Sequence, residues 1–178
     1  KDLGCGVDFA DLLKLISEIP GDFKIRFMTS HPRDASKKLF DTMAASSKIA
    51  KQLHLPFQSG SSRVLKAMNR HYDRQKYLEA VNYAKSVMPE LVLTSDVIVG
   101  FPGETEEEFE ETLSLLREVR YDSLFTFIYS PRNGTPAASM PDPVTREEKG
   151  KWFDELLRLQ ETIAAKNIEK FIGKTYRV

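Results

Sequence analysis

A segment near the middle of the chain reads Leu93-Thr94-Ser95-Asp96-Val97-Ile98-Val99-Gly100-Phe101-Pro102-Gly103-Glu104-Thr105. The β-branched residues at 97–99 predict a buried strand, and the Gly-Phe-Pro-Gly sequence at 100–103 breaks it sharply. Thr105 precedes Glu108 by three residues at the start of an apolar-periodic segment, which is a capping-box pattern. The segment therefore predicts a strand, a glycine turn and a helix N-terminus, the junction at which α/β proteins bind ligands.

Asp96 and the glycine turn that follows it offer what a bound nucleoside needs. A carboxylate can accept hydrogen bonds from ribose hydroxyls, and the bare backbone at Gly100 and Gly103 leaves room for a flat base. A glycine turn of this kind can equally connect two elements without binding anything. The motif alone therefore leaves a nucleotide site and a simple connection as open alternatives.

The composition excludes several classes of protein. Lys plus Arg and Asp plus Glu number 26 each, so the formal net charge is zero and no overall electrostatic attraction to nucleic acid is expected. The single cysteine, Cys5, excludes an internal disulfide and a metal site built from this chain's cysteines alone. No apolar run of about 18 residues and no signal-peptide pattern is present, which predicts a cytoplasmic protein that does not cross the membrane. The chain begins at Lys1 without methionine and ends at Val178 in a strand-like segment, so we expect it to be a fragment.

Predicted strands and helices alternate along the chain. The strands are predicted at residues 24–30, 50–57, 92–99 and 123–129, and the helices at 8–19, 36–45, 61–70, 74–88, 106–119 and 145–171, with residues 137–144 extended. This order predicts four parallel strands with flanking helices, joined by right-handed crossovers. The predicted α/β fold is a partial (β/α) barrel that lacks its first strands. Because such a sheet leaves its edges uncovered, the fragment is expected to self-associate through an exposed edge.

Each predicted strand ends in a polar, glycine or proline loop, and in a barrel such loops open onto one face. Taken in order, these loops resemble those of the radical S-adenosylmethionine methylthiotransferases. The matching segments cover most of residues 24–140: His54-Leu55-Pro56-Phe57-Gln58-Ser59-Gly60-Ser61, Met68-Asn69-Arg70, the segment from Asp96 to Thr105, Tyr129-Ser130-Pro131-Arg132 and Gly134-Thr135-Pro136.

Within this family the segments are most similar to the MiaB group. Thr29-Ser30-His31-Pro32, Leu55-Pro56-Phe57-Gln58 and the Arg132 that follows Ser-Pro favour it over the RimO group and the threonylcarbamoyl-adenosine methylthiotransferases. The resemblance implies a radical S-adenosylmethionine barrel enzyme that adds a methylthio group to C2 of N6-isopentenyladenosine next to the tRNA anticodon. It implies tRNA as the partner and S-adenosylmethionine as a cofactor. A RimO-like enzyme acting on a ribosomal protein and a non-redox nucleotide-binding module are the alternatives.

The resemblance also assigns cofactor-binding residues. Arg70 is implied to hold the carboxylate of S-adenosylmethionine, Gln58 its amino-acid or ribose part, and Asp96 its ribose hydroxyls. The plainer interpretations are a helix-terminal cation for Arg70 and a turn residue for Gln58. His31 and His54 are more often structural than ligands, and Phe127 and Tyr129 are most simply core aromatics. The full implied set is Gln58, Ser59, Arg70, Asp96, Val99, Gly100, Phe101, Pro102, Gly103 and Tyr129.

The chain departs from the family in its cysteines. The family's activity depends on three cysteines in a C-x-x-x-C-x-x-C loop and three more in an N-terminal domain, and none of the six is present here. The resemblance therefore implies two 4Fe-4S clusters in the full-length protein, with no metal ligand or catalytic residue in this fragment, which is expected to be inactive alone. Residues 1–172 are assigned to the C-terminal part of the barrel, and residues 173–178 to the start of a TRAM domain.

Overall fold

The computed structural model of the protein describes residues 6–28 and 31–175. Within these residues, three parallel strands form one sheet in the order β1 (Gln52–His54), β2 (Val92–Val99) and β3 (Ser123–Ile128). The α-helices are α1 (Phe9–Glu18), α2 (Lys37–Ala45), α3 (Ser62–Ala67), α4 (Arg74–Val87), α5 (Glu106–Val119) and α6 (Arg146–Ile168). Short 3-10 helices lie at Pro32–Asp34, Pro136–Ser139 and Glu169–Phe171. None of the helices in this part of the chain has the combined length and apolar character needed to span a bilayer.

Side-chain caps explain where the helices on either side of β3 begin. The Thr105 hydroxyl accepts the Glu108 N–H at 3.3 Å, and the Glu108 carboxylate accepts the Thr105 N–H at 2.9 Å. The capping box predicted at the start of α5 is therefore confirmed. Thr145 and Glu148 form the same reciprocal pair at the start of α6.

The sheet has one buried face and one open face. Leu93, Ser95, Val97 and Val99 of β2 are buried under the helices, whereas the alternate residues of the strand are only partly covered. The register places Asp96 beside Phe125 and Ile98 beside Phe127. Both phenylalanines are about half exposed, at 54% and 53%. We call the side formed by His54, Thr94, Asp96, Ile98, Phe125 and Phe127 the open face.

A continuous apolar core lies between the buried face and the helices. Two tyrosine hydroxyls form hydrogen bonds inside this core. The Tyr77 hydroxyl donates to the Leu55 carbonyl at 2.9 Å, and the Tyr121 hydroxyl donates to the Tyr77 oxygen at 2.9 Å. Burial raises the pKa of both hydroxyl groups well above the ordinary value, which keeps them protonated. The core therefore includes a hydrogen-bonded phenol pair that fixes the end of β1 against α4.

The structure corrects the strand predicted over residues 24–30. Ile25 forms a single parallel bridge with Ile49, in which Ile25 N–H donates to Lys48 and Ala50 N–H donates to Ile25. Among the described residues 24–28, this bridge is the one strand-like pairing that forms. Thr29 and Ser30 lie outside the described residues. The observed sheet is thus an open one of three strands, and neither the fourth strand nor the barrel is confirmed.

Two other boundaries differ from the sequence prediction. The strand predicted at 50–57 narrows to Gln52–His54, partly because Pro56 has no N–H to donate to a ladder. Residues 137–144 were predicted to be extended, but the 3-10 helix Pro136–Ser139 includes the first three of them. Pro136 occupies the first position of this helix, which suits the fixed backbone angle of its ring.

Candidate functional site

A cleft of about 490 Å³ opens where the strands end. Its lining comes from the loop after β1, the second half of β2, the end of β3 and the loop that follows it. The lining residues are Gln58, Arg70, Asp96, Ile98, Phe127, Ile128, Tyr129, Ser130, Arg132, Thr135 and Ala137. A cleft of this volume, with both apolar and charged walls, suits a small-molecule ligand.

Gln58 holds an unusual backbone conformation at the floor of the cleft. Its φ is 68°, in the left-handed region that a residue with a Cβ adopts at a cost of about 1–2 kcal/mol. Two hydrogen bonds to β2 hold it there: Gln58 N–H donates to Asp96 and Ile98 N–H donates to Gln58, both at 2.9 Å. The loop after β1 is thereby locked to the strand that carries Asp96.

Two buried polar atoms in the cleft have no hydrogen-bond partner among the described residues: Nε of Arg70 and Oη of Tyr129. Such atoms are rare in folded proteins, because a buried donor without a partner costs about 1–3 kcal/mol. Arg70 follows α3, where Asn69 turns the chain with φ 58° and Arg70 N–H donates to Leu65 at 2.9 Å. The free guanidinium and phenol are therefore groups that a ligand could satisfy.

The Arg70 charge also acts on two neighbouring rings. Burial lowers the pKa of His31, and the positive charge of Arg70 lowers it further. Burial raises the pKa of Tyr72 to about 12 against the opposing effect of Arg70. The His31 ring lies edge-on to Tyr72 at 5.4 Å, and its Nδ1 accepts the Arg33 N–H at 3.2 Å. These contacts are consistent with the structural interpretation of His31, which stays a prediction.

Asp96 projects from β2 on the open face with 29% of its side chain exposed. Its Oδ1 lies 3.3 Å from Nε2 of His54, which is almost buried. The other carboxylate oxygen, Oδ2, accepts no hydrogen bond from the residues that the structure describes. The cleft is therefore lined by Asp96, which has one carboxylate oxygen without a described partner, and by Arg70, whose buried Nε also has none.

The glycine turn after β2 is organised by a buried carboxylate. Oε2 of Glu104 accepts the N–H groups of Gly100, at 2.6 Å, and Phe101, at 3.2 Å. Gly100 has φ +72°, and a Cβ there would lie 2.5 Å from the Lys149 side chain. The Phe101 ring packs edge-on against Tyr129 at 5.2 Å. The turn therefore supports the Tyr129 wall of the cleft from behind.

Arg63 of α3 ties the same turn to α5. Its Nη2 donates to the Gly103 carbonyl and to Oε2 of Glu108, both at 2.5 Å, and its Nε contacts the other Glu108 oxygen. Glu108 is thus both a member of the α5 capping box and the partner of Arg63, whose hydrogen bond lowers the pKa of that carboxyl. Glu108, one of three acidic residues in the first turn of α5, therefore has a structural function.

The structure brings four of the ten predicted cofactor residues together in the cleft: Gln58, Arg70, Asp96 and Tyr129. Ser59 is buried beneath it, where its hydroxyl accepts the Ser61 N–H at 3.2 Å. Val99 belongs to the core, and residues 100–103 form the turn behind Tyr129. These six do not line the cleft, and their role in binding a cofactor stays a prediction.

Sequence reasoning missed several lining residues. Ile98 and Phe127 were expected in a buried strand and the core, but they stand on the open face. The sequence indicates the open face only weakly, because β3 carries apolar side chains on both of its faces. Thr135 and Ala137 come from the loop after β3, whose path follows from tertiary packing rather than from local pattern.

Curated relatives match the whole chain. It is 51% identical over all 178 residues to the tRNA-2-methylthio-N(6)-dimethylallyladenosine synthase of Clostridium botulinum strain Hall. It is 48% identical over the same length to the protein of that name from Pelotomaculum thermopropionicum. In both cases the chain spans 40% of the relative's length.

Solved structures share the fold at low sequence identity. Coproporphyrinogen III oxidase (HemN) from Escherichia coli, described as a radical SAM enzyme, superimposes with a TM-score of 0.61 and 23% identity, over 75% of this chain and 31% of that chain. The cobalamin-dependent S-adenosylmethionine radical enzyme OxsB superimposes with a TM-score of 0.50 and 16% identity, over 88% of this chain and 20% of that chain. These likenesses show the fold, a radical SAM-like α/β arrangement with a three-stranded parallel sheet and flanking helices.

The family profile decides the assignment. The profile of the Radical SAM superfamily matches residues 4–116, which is more than half of the chain and includes β1, β2 and the turn at 100–104. Together with the fold and the relatives, this match means that the chain belongs to the Radical SAM superfamily.

Proposed function

We propose that this chain is part of a tRNA methylthiotransferase, which adds a methylthio group to C2 of N6-dimethylallyladenosine next to the anticodon. The observation that carries the proposal is the 48–51% identity over the full 178 residues with relatives that are named for this reaction. Because the chain spans 40% of those relatives, the activity is proposed for the full-length gene product.

We further propose that the cleft binds S-adenosylmethionine. The support is chemical: the ligand has a carboxylate that could pair with the free Nε of Arg70, and a ribose diol that could donate to the free Oδ2 of Asp96. Gln58 and the Tyr129 hydroxyl would add polar contacts, and Ile98 and Phe127 offer apolar surface to the adenine. The carboxylate and the diol of the ligand thus complement Arg70 and Asp96, which both line the cleft.

When bound, S-adenosylmethionine and iron-sulfur clusters supply radical and methyl-transfer chemistry. Iron-sulfur clusters are held by thiolates, and this chain has one cysteine, Cys5, which lies outside the described residues. The residues present here therefore do not fit a cluster site. We expect the ligands of both 4Fe-4S clusters to lie outside these 178 residues.

The tRNA partner and the cytoplasmic location follow from the proposed reaction. With a formal net charge of zero, this chain offers no overall attraction to a polyanion, so we expect most of the phosphate contacts to come from elsewhere in the gene product. A TRAM domain beginning at residue 173 would be one such element, and that boundary stays a prediction.

The reaction can be tested by expressing the full-length gene product in a host that lacks this tRNA methylthio modification. Mass spectrometry of digested tRNA should then detect 2-methylthio-N6-dimethylallyladenosine. If the tRNA nucleosides are unchanged while a ribosomal protein becomes methylthiolated, the RimO-like alternative is correct instead.

Replacing either Asp96 or Arg70 with alanine should weaken cofactor binding. Each change removes a charge-assisted hydrogen bond worth roughly 1.5–3 kcal/mol. With S-adenosylhomocysteine as the probe for the cofactor site, the affinity should therefore fall about ten- to a hundredfold. Calorimetry on the full-length gene product measures the affinity, and a melting curve checks the fold.

Asp154→Ala and Arg158→Ala provide matched controls, because both residues are exposed on α6 away from the cleft. These variants should bind as tightly as the native protein. Unchanged affinity in a well-folded Asp96→Ala variant would show that Asp96 does not bind ribose.

The isolated chain should self-associate at tens of micromolar. Both β1 and β3 are edge strands of the described sheet, and the open face beside β3 exposes Phe125 and Phe127. Unpaired strand edges next to apolar surface favour pairing between copies. Sedimentation velocity over a concentration series checks this, and a strictly monomeric chain would contradict it.

A further inference from the structure

His54 and Asp96 form a pair on the open face that the sequence did not predict. His54 ends β1 and Asp96 lies in the middle of β2, and the Nε2 to Oδ1 distance is 3.3 Å. On its other side, the His54 Nδ1 lies 2.9 Å from the hydroxyl oxygen of Thr94. Three polar side chains from two adjacent strands are thus linked in a row.

The chemistry of the three groups limits which atom can donate across the 3.3 Å contact of Nε2 with Oδ1 and in the hydrogen bond of Nδ1 with Thr94. As a carboxylate, Asp96 can only accept, so Nε2 of His54 must carry the hydrogen between them. In a neutral imidazole the remaining nitrogen, Nδ1, is then an acceptor and takes the hydrogen of the Thr94 hydroxyl. Asp96 therefore selects the form of His54 that carries its hydrogen on Nε2, and the Thr94 hydroxyl, which can donate or accept, adapts to that form and holds the ring in place.

Packing holds the imidazole in this position. The His54 side chain is only 8% exposed, and the Phe125 ring lies edge-on to it with 5.8 Å between ring centroids. Phe125 is also the register partner of Asp96 on β3. The ring is thus enclosed by β2 and β3, and Asp96, which lines the ligand cleft, has one oxygen in contact with His54 and leaves the other, Oδ2, for a ligand.

We propose that His54 is a positioning residue for ligand recognition: it holds the Asp96 carboxylate so that Oδ2 can accept hydrogen bonds from the vicinal hydroxyls of a ribose. The proposal rests on the proposed binding of S-adenosylmethionine in the cleft. It makes selectivity for a ribose diol depend on a residue that does not itself line the cleft.

Two substitutions test the roles of the two His54 nitrogen atoms separately. His54→Gln places an amide N–H near the position of Nε2 and keeps a donor for Asp96. His54→Asn places its amide near Nδ1, which preserves a partner for Thr94 but none for Asp96. Calorimetry on the full-length gene product should show S-adenosylhomocysteine binding within about twofold of native for the Gln variant, and about tenfold weaker for the Asn variant.

A ligand without the diol provides the control for general structural damage. The 2′,3′-dideoxy analogue of S-adenosylhomocysteine should bind the native protein and the Asn variant equally. The double variant His54→Asn/Asp96→Ala should bind S-adenosylhomocysteine no more weakly than Asp96→Ala alone, because both changes remove one interaction. If the Asn variant fails to fold, Thr94→Val carries the test, since it removes the hydroxyl that orients Nδ1 and should weaken the same ligand severalfold.

Three results would overturn the proposal. They are equal weakening of both ligands in the Asn or Thr94→Val variant, additive losses in the double variant, and native affinity in the Asn variant. In each of them the native protein still binds S-adenosylhomocysteine and Asp96→Ala still weakens it, so the cofactor site itself survives. Failure of the native protein to bind S-adenosylhomocysteine would overturn this proposal and the cofactor proposal together.

Discussion

Gly60→Ala should lower the free energy of unfolding by about 3 kcal/mol, with a fall in melting temperature of roughly 6–12 °C. A Cβ at this position would lie 2.5 Å from the Glu111 carbonyl oxygen and 2.5 Å from the Thr112 Cα. Both are backbone atoms in the middle of α5 and cannot move aside as a flexible side chain would. The Gly60 N–H also donates to the buried Thr112 hydroxyl at 2.9 Å, so a shift of the loop would break this bond too.

Gly150→Ala is the matched control for this prediction. Gly150 lies inside α6, and a Cβ there would meet nothing within 4 Å. Alanine should therefore stabilise the helix by about 0.5–1 kcal/mol. Urea unfolding of the two variants measures both effects, and a Gly60→Ala variant as stable as the native protein would contradict the close contact between the loop after β1 and α5.

Relative to the Glu104→Gln variant, the native protein should lose roughly 3 kcal/mol of stability as the pH rises from about 4.5 to 7. Burial raises the pKa of Glu104 to about 7 from the ordinary value of 4.5. Between these values the folded state binds more protons than the unfolded state, so the free energy of unfolding falls as the pH rises. The nearby charges are Lys149, Glu108 and Arg63, of which Glu108 opposes ionisation of Glu104 and Lys149 favours it.

The glutamine variant isolates the charge because it keeps the geometry. Both N–H groups, from Gly100 and Phe101, donate to a single oxygen of Glu104, and the amide oxygen of glutamine can accept both. The variant should match the native protein near pH 4.5 and exceed it in stability at pH 8. Urea unfolding at both pH values checks this, with Glu155→Gln on the exposed side of α6 as the control. A constant difference between native and variant across the pH range would mean that Glu104 does not titrate in this window.

The local sequence pattern was sufficient to predict a strand or helix whose own residues determine its bounds. β2 was predicted over residues 92–99 and is observed over Val92–Val99. The predicted helix at 74–88 agrees with α4 to one residue, because Asp73 caps its start and a clear apolar face follows. The helix cap at Thr105 could be predicted for the same reason, because Thr105 and Glu108 are only three residues apart in the sequence.

Structural features that depend on contacts between residues far apart in the sequence could not be predicted from it. The segment at 24–28 has strand composition, yet among these described residues the pairing is a single bridge between Ile25 and Ile49. The left-handed Gln58 is held by two bonds to β2, and nothing in its own neighbours marks it. The resemblance to a family supplied Arg70 and Asp96 as candidates, whereas the pairing of Asp96 with His54 needed the register of β1 and β2.

The contacts of Arg63 have a consequence for motion. One guanidinium joins the turn at 100–104, which lies behind the Tyr129 wall of the cleft, to α3 and to the first turn of α5. Local opening of the turn would require the loss of the Arg63 bonds as well as those of Glu104, and such segments open as one cooperative unit. We therefore expect the amides of Gly100 and Phe101 to exchange with solvent at similar, slow rates. The cleft would then keep its shape between binding events, so that a ligand meets a site that is already formed.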